Sequence, residues 1–279
     1  MGKVKINSFC KVNIGLQIQG KRSDGYHKIH TLYQCLDFHD SITLEKTNDG
    51  CEFVSNVGWL KKDESNLCIR AINSLRNHFE FGGVSITLQK RIPAGAGLGG
   101  GSSNAASILK GVSDLYNLDL KEKELEKIGV ELGADVPFFI RGGLQIGNGI
   151  GERLEPLGKL VSGIFLLVVP PIHIDTKWAY SNSKLILEQE KEKINFASFI
   201  QEKVISFELF ENDFETIVVP TYPEIGEIKE TLRANGARFA SLSGSGSTVY
   251  GIFDDDASAN VARSNLSEKY KTFIAFPSP

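Results

Sequence analysis

Polar and apolar residues alternate loosely over residues 3–19, a stretch rich in Val and Ile, and at period two over 41–46 (SITLEK) and 84–89 (VSITLQ). Period two marks a half-buried strand, so all three are predicted strands, with a turn at Arg22-Ser23-Asp24-Gly25. Residues 66–79 instead place Leu67, Ile69, Ala71, Ile72 and Leu75 at helical spacing. A second helix is expected over 103–115, with Ser102 or Ser103 as N-cap. A third, charged and amphipathic, is expected over 120–132, stopping at Gly133. Glycines 142, 143, 147, 149 and 151 suggest turns around a strand, and the run Ile164–Val169, closed by Pro170-Pro171, reads as a buried strand. Beyond it, 184–193 is a polar helix or its flank, 223–235 a helix ended by Gly236, 248–253 a strand, 257–270 a helix and 273–276 a strand. The mixture is α+β, with a soft boundary near Glu155 that divides the chain into 1–155 and 156–279.

Composition narrows the function classes. Thirty-one Lys and Arg against 34 Asp and Glu give a net charge of −3, no footprint for nucleic acid. The longest apolar run is far below the roughly 18 residues of a membrane span, and the N-terminal stretch has no apolar h-region. A cytoplasmic protein with no membrane association is expected. Cys10, Cys35, Cys51 and Cys68 form no CxxC pair and are expected as reduced thiols. His27 and His30 could share a helix face, but no acidic ligand sits beside them, and no metal site is assigned.

Candidate chemistry centres on Pro93-Ala94-Gly95-Ala96-Gly97-Leu98-Gly99-Gly100-Gly101-Ser102-Ser103, where five of the seven positions 95–101 are glycine. The run follows a predicted strand and opens a predicted helix. Backbone N–H groups without side chains in the way can converge on an anion there, and the helix N-terminus adds positive potential. Gly95, Gly97 and Gly100 spell G-x-G-x-x-G, yet no second strand ending in an acidic residue follows, since Asp114 closes the helix. The Walker pattern needs Lys where Gly101 stands, and a G-x-S-x-G elbow fails at Asn104. Three more clusters stand out. Lys11 and Asn13 share one face of the first strand; alone they read equally as an exposed edge. Asp135, in Leu-Gly-Ala-Asp-Val-Pro-Phe-Phe (132–139), is either a cap for a helix begun by Pro137 or a catalytic carboxylate. The segment 241–247 (SLSGSGS) sits between a helix and a strand, as a tight turn or a close approach to ligand.

Taken in order, K-V-N at 11–13, the loop at 93–103 and S-G-S-G-S at 243–247 resemble the three motifs of the GHMP kinases. R-S-D-G-Y-H at 22–27 and the 132–139 segment resemble the branch that phosphorylates a cytidine-diphosphate-linked methylerythritol in non-mevalonate isoprenoid synthesis. Phe9-Cys10 stand where that family usually has Pro-Ala. The resemblance implies a two-domain α+β fold: an N-terminal part like ribosomal protein S5 domain 2, a ferredoxin-like C-terminal part, and the active site in the cleft. It implies transfer of the ATP γ-phosphoryl group to the 2-hydroxyl of that small molecule. Asp135 would be the base with Lys11 against it, and Asn13 would position acceptor or phosphate. The loop, with Asn66 and Lys90, would hold ATP. Tyr26, His27 and Tyr180 would take the cytosine. Mg²⁺ would be carried mainly by the nucleotide, and the chain is expected as a monomer or weak dimer. The alternatives are a homoserine- or mevalonate-type kinase, a non-catalytic nucleotide sensor that would have no need of both Lys11 and Asp135, and a dinucleotide oxidoreductase.

Overall fold

A computed structural model describes residues 2–183, 192–201, 207 and 210–279. By contacts the chain forms two compact units, each discontinuous: Met1–Cys10, His39–Ala94 and Gly99–Arg141 make one, and Lys11–Phe38, Gly95–Leu98 and Gly142–Pro279 the other. Two long strands, β1 (Lys3–Lys21) and β2 (His27–Thr47), each give one stretch to either unit.

In the first unit, Ser41–Thr47 of β2 pair antiparallel with β4 (Gly83–Gln89), and β4 pairs parallel with β3 (Cys51–Ser55). Four helices accompany these strands: α1 (Leu67–Arg76), α2 (Gly100–Tyr116), α3 (Glu122–Leu132) and α4 (Val136–Arg141). The α2 helix packs on α1, α3 and α4. It buries Ala105, Ala106, Ile108, Leu109, Val112 and Leu115, the wide apolar face of a helix enclosed by neighbours.

In the second unit, Thr31–Gln34 of β2 pair with β5 (Leu144–Asn148), which pairs with β6 (Arg153–Pro156). A separate antiparallel sheet runs in the order β10 (Lys271–Ala275), β7 (Ile164–Val169), β9 (Val249–Phe253) and β8 (Phe239–Leu242). All six residues of β7 are buried, as its unbroken apolar run requires. Helices α5 (Thr176–Ser181), α6 (Phe196–Gln201), α7 (Glu215–Thr221), α8 (Pro223–Ala234) and α9 (Asp256–Ser267) belong to this unit. Leu166 and Val168 share a core with Ile228 and Leu232 of α8 and Ala262 of α9.

Three local expectations are corrected. The second helix begins at Gly100, not 103, and its N-cap is Gly99 at φ +70° rather than a serine. Ser103 is not free to cap, because its hydroxyl pairs with Ser8 Oγ at 2.7 Å. His27 and His30 lie on β2, not on a helix; Ile29 N between them donates to Gly149 O at 2.7 Å, just ahead of the pairing of Thr31–Gln34 with β5. The serine-glycine segment connects two strands, β8 and β9, rather than a helix and a strand. The helix expected over 184–193 falls largely on 184–191, outside the described residues. None of the four cysteines is in a disulfide, and burial pushes the Cys68 thiol up to about 12. Among the described residues no helix is long and apolar enough to cross a membrane.

Candidate active site

In the second unit, period two on β1 sets Lys11 and Asn13 side by side, and both are buried rather than on an exposed edge. Lys11 Nζ donates to Asn13 Oδ1 at 2.6 Å and sits 5.3 Å from the centre of the Tyr33 ring. Asn13 Nδ2 donates to Thr31 Oγ1 at 2.9 Å, whose own proton goes to Gly15 O, so the carboxamide cannot flip without losing both bonds. Tyr250 donates its hydroxyl to Asn13 O at 2.8 Å, and burial pushes that phenol's pKa well up, keeping it a donor. Asn13 Oδ1 is thereby a fixed acceptor for Lys11 Nζ.

Residues 95–98 of the glycine loop belong to the same unit. Lys11 N donates to Leu98 O at 3.1 Å, Thr248 N to Ala96 O at 3.1 Å, and Ser243 Oγ to Gly97 O at 2.9 Å. The β8–β9 connection is thus the support of the loop. Gly97, at φ +78°, lies so close to Ser243 O that a Cβ would collide with that carbonyl.

In the first unit, the loop runs into α2. The opening N–H groups of a helix have no intrahelical acceptor, so Gly100, Gly101 and Ser102 present donors at the positive end of the helix. Asp135 lies in the short turn between α3 and α4, where Val136 N bonds Gly133 O at 3.1 Å. Ser102 Oγ is 3.9 Å from where a Gly133 Cβ would stand, so the α2 start and the Asp135 turn are neighbours. Beneath them, fully buried Asp40 accepts from Arg91 N at 2.6 Å, Ile92 N at 2.8 Å and Asn104 Nδ2 at 2.9 Å, and it pairs with Lys90. Lys90 is thereby engaged in an ion pair beside Gly100. Asn66 is the N-cap of α1: its Oδ1 accepts from Cys68 N at 3.0 Å and its Nδ2 donates to Lys61 O at 3.0 Å.

The three residues expected to take cytosine all lie in the second unit. Tyr26 follows the turn closed by Arg22 N on Tyr26 O and is 61% exposed. His27 stacks on Tyr180, ring centres 5.0 Å apart at 18°, and its Nε2 is 3.3 Å from Ser183 Oγ. Tyr180 meets Phe214 edge-on. Burial, with the charge of Lys21 adding, lowers the His27 pKa and favours the neutral ring.

The GHMP kinases N terminal domain family matches residues 66–143, and the GHMP kinases C terminal family matches 200–272. A 4-diphosphocytidyl-2-C-methyl-D-erythritol kinase from Prosthecochloris aestuarii is 41% identical, covering 97% of this chain and 96% of that protein. One from Chlorobaculum tepidum is 38% identical with the same coverage. The chain belongs to the 4-diphosphocytidyl-2-C-methyl-D-erythritol kinase family of GHMP kinases. A crystal structure of 4-(cytidine 5'-diphospho)-2C-methyl-D-erythritol kinase superposes with TM-score 0.85 at 31% identity, covering 99% of this chain and 100% of that one. The mevalonate kinase of Methanococcus jannaschii, at TM-score 0.73 and 18% identity, shares the fold.

Motif reading passed over several residues that contact the motif positions of this GHMP kinase. Thr31 and Tyr250 fix Asn13, Asp40 and Asn104 anchor the α2 start, and His173 Cε1 lies 3.4 Å from where a Gly95 Cβ would stand. Only Asn104 adjoins a motif; the others are single polar residues whose partners are distant in sequence.

Proposed function

We propose that this kinase transfers the γ-phosphoryl group of ATP to the 2-hydroxyl of 4-diphosphocytidyl-2-C-methyl-D-erythritol. The products are ADP and the 2-phosphate, a step of non-mevalonate isoprenoid synthesis. The observation that carries the mechanism is the buried Lys11–Asn13 pair, bonded through Lys11 N to the glycine loop at Leu98. Phosphoryl transfer asks mainly for positioning and charge neutralisation, and a cation held away from water acts strongly on developing negative charge. The backbone N–H groups of 95–103 hold the ATP phosphates. Asp135 accepts the proton of the attacking hydroxyl, and Lys11 serves the same transfer electrostatically. Tyr26, His27 and Tyr180 receive the cytosine. We assign Mg²⁺, which would supply charge neutralisation, mainly to the nucleotide oxygens, because this ion keeps several waters and takes most of its other ligands from substrate phosphates. We place the enzyme in the cytoplasm as a monomer or weak dimer.

The test is coupled ADP release with the cytidine-linked polyol, mevalonate and homoserine side by side. Turnover confined to the first is expected, and comparable turnover of either other acceptor overturns the assignment. Asp135→Asn should keep both ligands bound and lose roughly 10²- to 10⁴-fold in turnover. Near-normal turnover would reduce Asp135 to a helix-terminus residue.

A further inference from the structure

The segment Glu211–Glu215 was no part of any motif, yet its polar side chains are spent on backbone groups next to the Lys11–Asn13 pair. Asn212, 2% exposed, gives both protons of its Nδ2 to carbonyls: Leu242 O at 2.7 Å and Gly244 O at 2.8 Å. Its Oδ1 accepts from Phe214 N at 3.0 Å, so the amide orientation is fixed at both ends. The same segment grips β1: Leu16 N donates to Glu211 O at 2.8 Å, Asp213 N to Leu16 O at 2.8 Å, and Ile18 N to Asp213 Oδ2 at 2.7 Å. Glu215 accepts from Leu242 N and Ser241 Oγ, both at 2.8 Å, and its other oxygen pairs with Lys229.

One segment therefore ties the strand that carries Lys11 to the β8–β9 connection. What it holds in place is Gly244. A Cβ at Gly244 would stand 3.4 Å from Asn13 Oδ1, 3.6 Å from Lys11 Nζ and 3.7 Å from Gly97 O. Gly244, at φ +57°, is thus the point where all three GHMP kinase motifs touch within this unit. A turn free to shift there would leave Lys11 Nζ a choice of positions, because its four-carbon stem is flexible.

We propose that Asn212 is a positioning residue for phosphoryl transfer: by pinning the Leu242–Gly244 turn to β1 it fixes the Lys11–Asn13 pair and the adjoining stretch of the glycine loop. The proposal rests on the reading that Lys11 serves catalysis. Its energetic logic is that a buried carboxamide is costly unless all its hydrogen bonds are made, and here they are made to the backbone around the catalytic lysine.

The test is a double-mutant cycle of Asn212→Ala and Lys11→Met, with kcat, both KM values and unfolding measured for each protein. Asn212→Ala should lower kcat about 10- to 100-fold with KM for ATP and acceptor within about threefold, the pattern of lost transition-state stabilisation. In the Lys11→Met background the same substitution should cost less than about twofold, since its effect passes through Lys11. Equal losses in both backgrounds overturn the positioning role while leaving Lys11 catalytic. A Lys11→Met enzyme with unchanged kcat overturns instead the catalytic reading of Lys11 on which the proposal stands. Asn212→Asp keeps the acceptor for Phe214 N but puts an oxygen against the two carbonyls, and it should reproduce the kcat loss. If neither Asn212 variant folds cooperatively, Asn212 is a folding residue and the proposal is wrong.

Discussion

A lysine left 4% exposed is tolerable as a cation only where acceptors and a ring face replace its water, and Lys11 has Asn13 Oδ1 and Tyr33. Its place on the face of β1 with Asn13 was legible from period two. The residues that brace the pair were not, because Thr31, Tyr250 and Asn212 are isolated polar positions far along the chain. The same limit governs the cytosine residues. The sequence placed Tyr180 as a second stacking face, whereas the structure sets the His27 ring directly on it. Tyr26→Ala should raise KM for the cytidine substrate about 5- to 150-fold, the worth of roughly 1–3 kcal/mol per stack, with little change for ATP. His27→Ala should erode the preference for cytosine over uracil, since stacking accepts any base and the ring nitrogens do not. Paired titrations with cytidine- and uridine-linked substrates decide it; equal effects on both substrates and on ATP would mean a general folding defect. A second histidine reports on stability. His30 bonds Asn148 Oδ1 at 2.9 Å and Ile194 O at 2.8 Å and stacks on Phe196, and burial lowers its pKa from 6.5 despite those bonds. The unfolded chain therefore binds that proton more tightly. Stability is complete above pH 6.5 and falls as pH drops through 6.5 toward the depressed folded value. Urea midpoints between pH 7.5 and 5.5 should decline, and His30→Gln should shrink the decline; an unchanged slope would clear His30 of the effect.

Between residue and fold, the start of α2 shows how one buried carboxylate sets an element's position. Asp40 takes the N–H groups of Arg91 and Ile92 at the end of β4, the amide of Asn104 in the second turn of α2, and the Lys90 ammonium. Its partner Asn104 also donates to Ser8 Oγ, which meets Ser103 Oγ. Helix and strand ends are therefore locked together just where the glycines leave the backbone without side-chain anchors. Removing one partner of a buried ion pair strands the other, so Asp40→Ala should destabilise the fold by about 3–5 kcal/mol. Lys90→Met in the same chain should recover part of that loss, because no unpaired cation is left. Denaturant titrations of the single and double variants measure both. A double variant as unstable as the two single losses added together would show that Lys90 has a load independent of Asp40. Helices with strong periodicity were legible nearly to the residue, α3 and α8 among them. The start of α2 was not, because the reading sought a serine cap and the backbone turned earlier, at Gly99.

For the molecule as a whole, motif order carried the family, while the division into units was beyond linear reading. β1 and β2 supply both units, and a strand's hydrophobic pattern is the same whichever core receives it. What ties distant motifs to one function can be read as linkage between ligand and stability. A nucleotide that binds only the native state adds about 2.7 kcal/mol at a hundred times its Kd. For a chain of this size that corresponds to roughly 5 °C in Tm. The loop offers a substitution that separates binding from folding. Gly97→Ala would drive a Cβ into Ser243 O and should lower Tm without any ligand. Gly101 is different: it is exposed, outside the left-handed region, and its Cβ would meet only Leu67 Cδ1 at 3.3 Å. A valine there sits over the open N–H groups at the α2 start while the fold can accept it at the modest cost of a β-branched residue in a helix. Gly101→Val should therefore hold its ligand-free Tm within about 2 °C of the parent, which is about 1 kcal/mol, and should lose the upward shift that ATP gives the parent. Thermal melts of both proteins with and without ATP make the comparison. A shift of full size in the valine variant would remove the first turn of α2 from the phosphate site, whatever the activity of the enzyme.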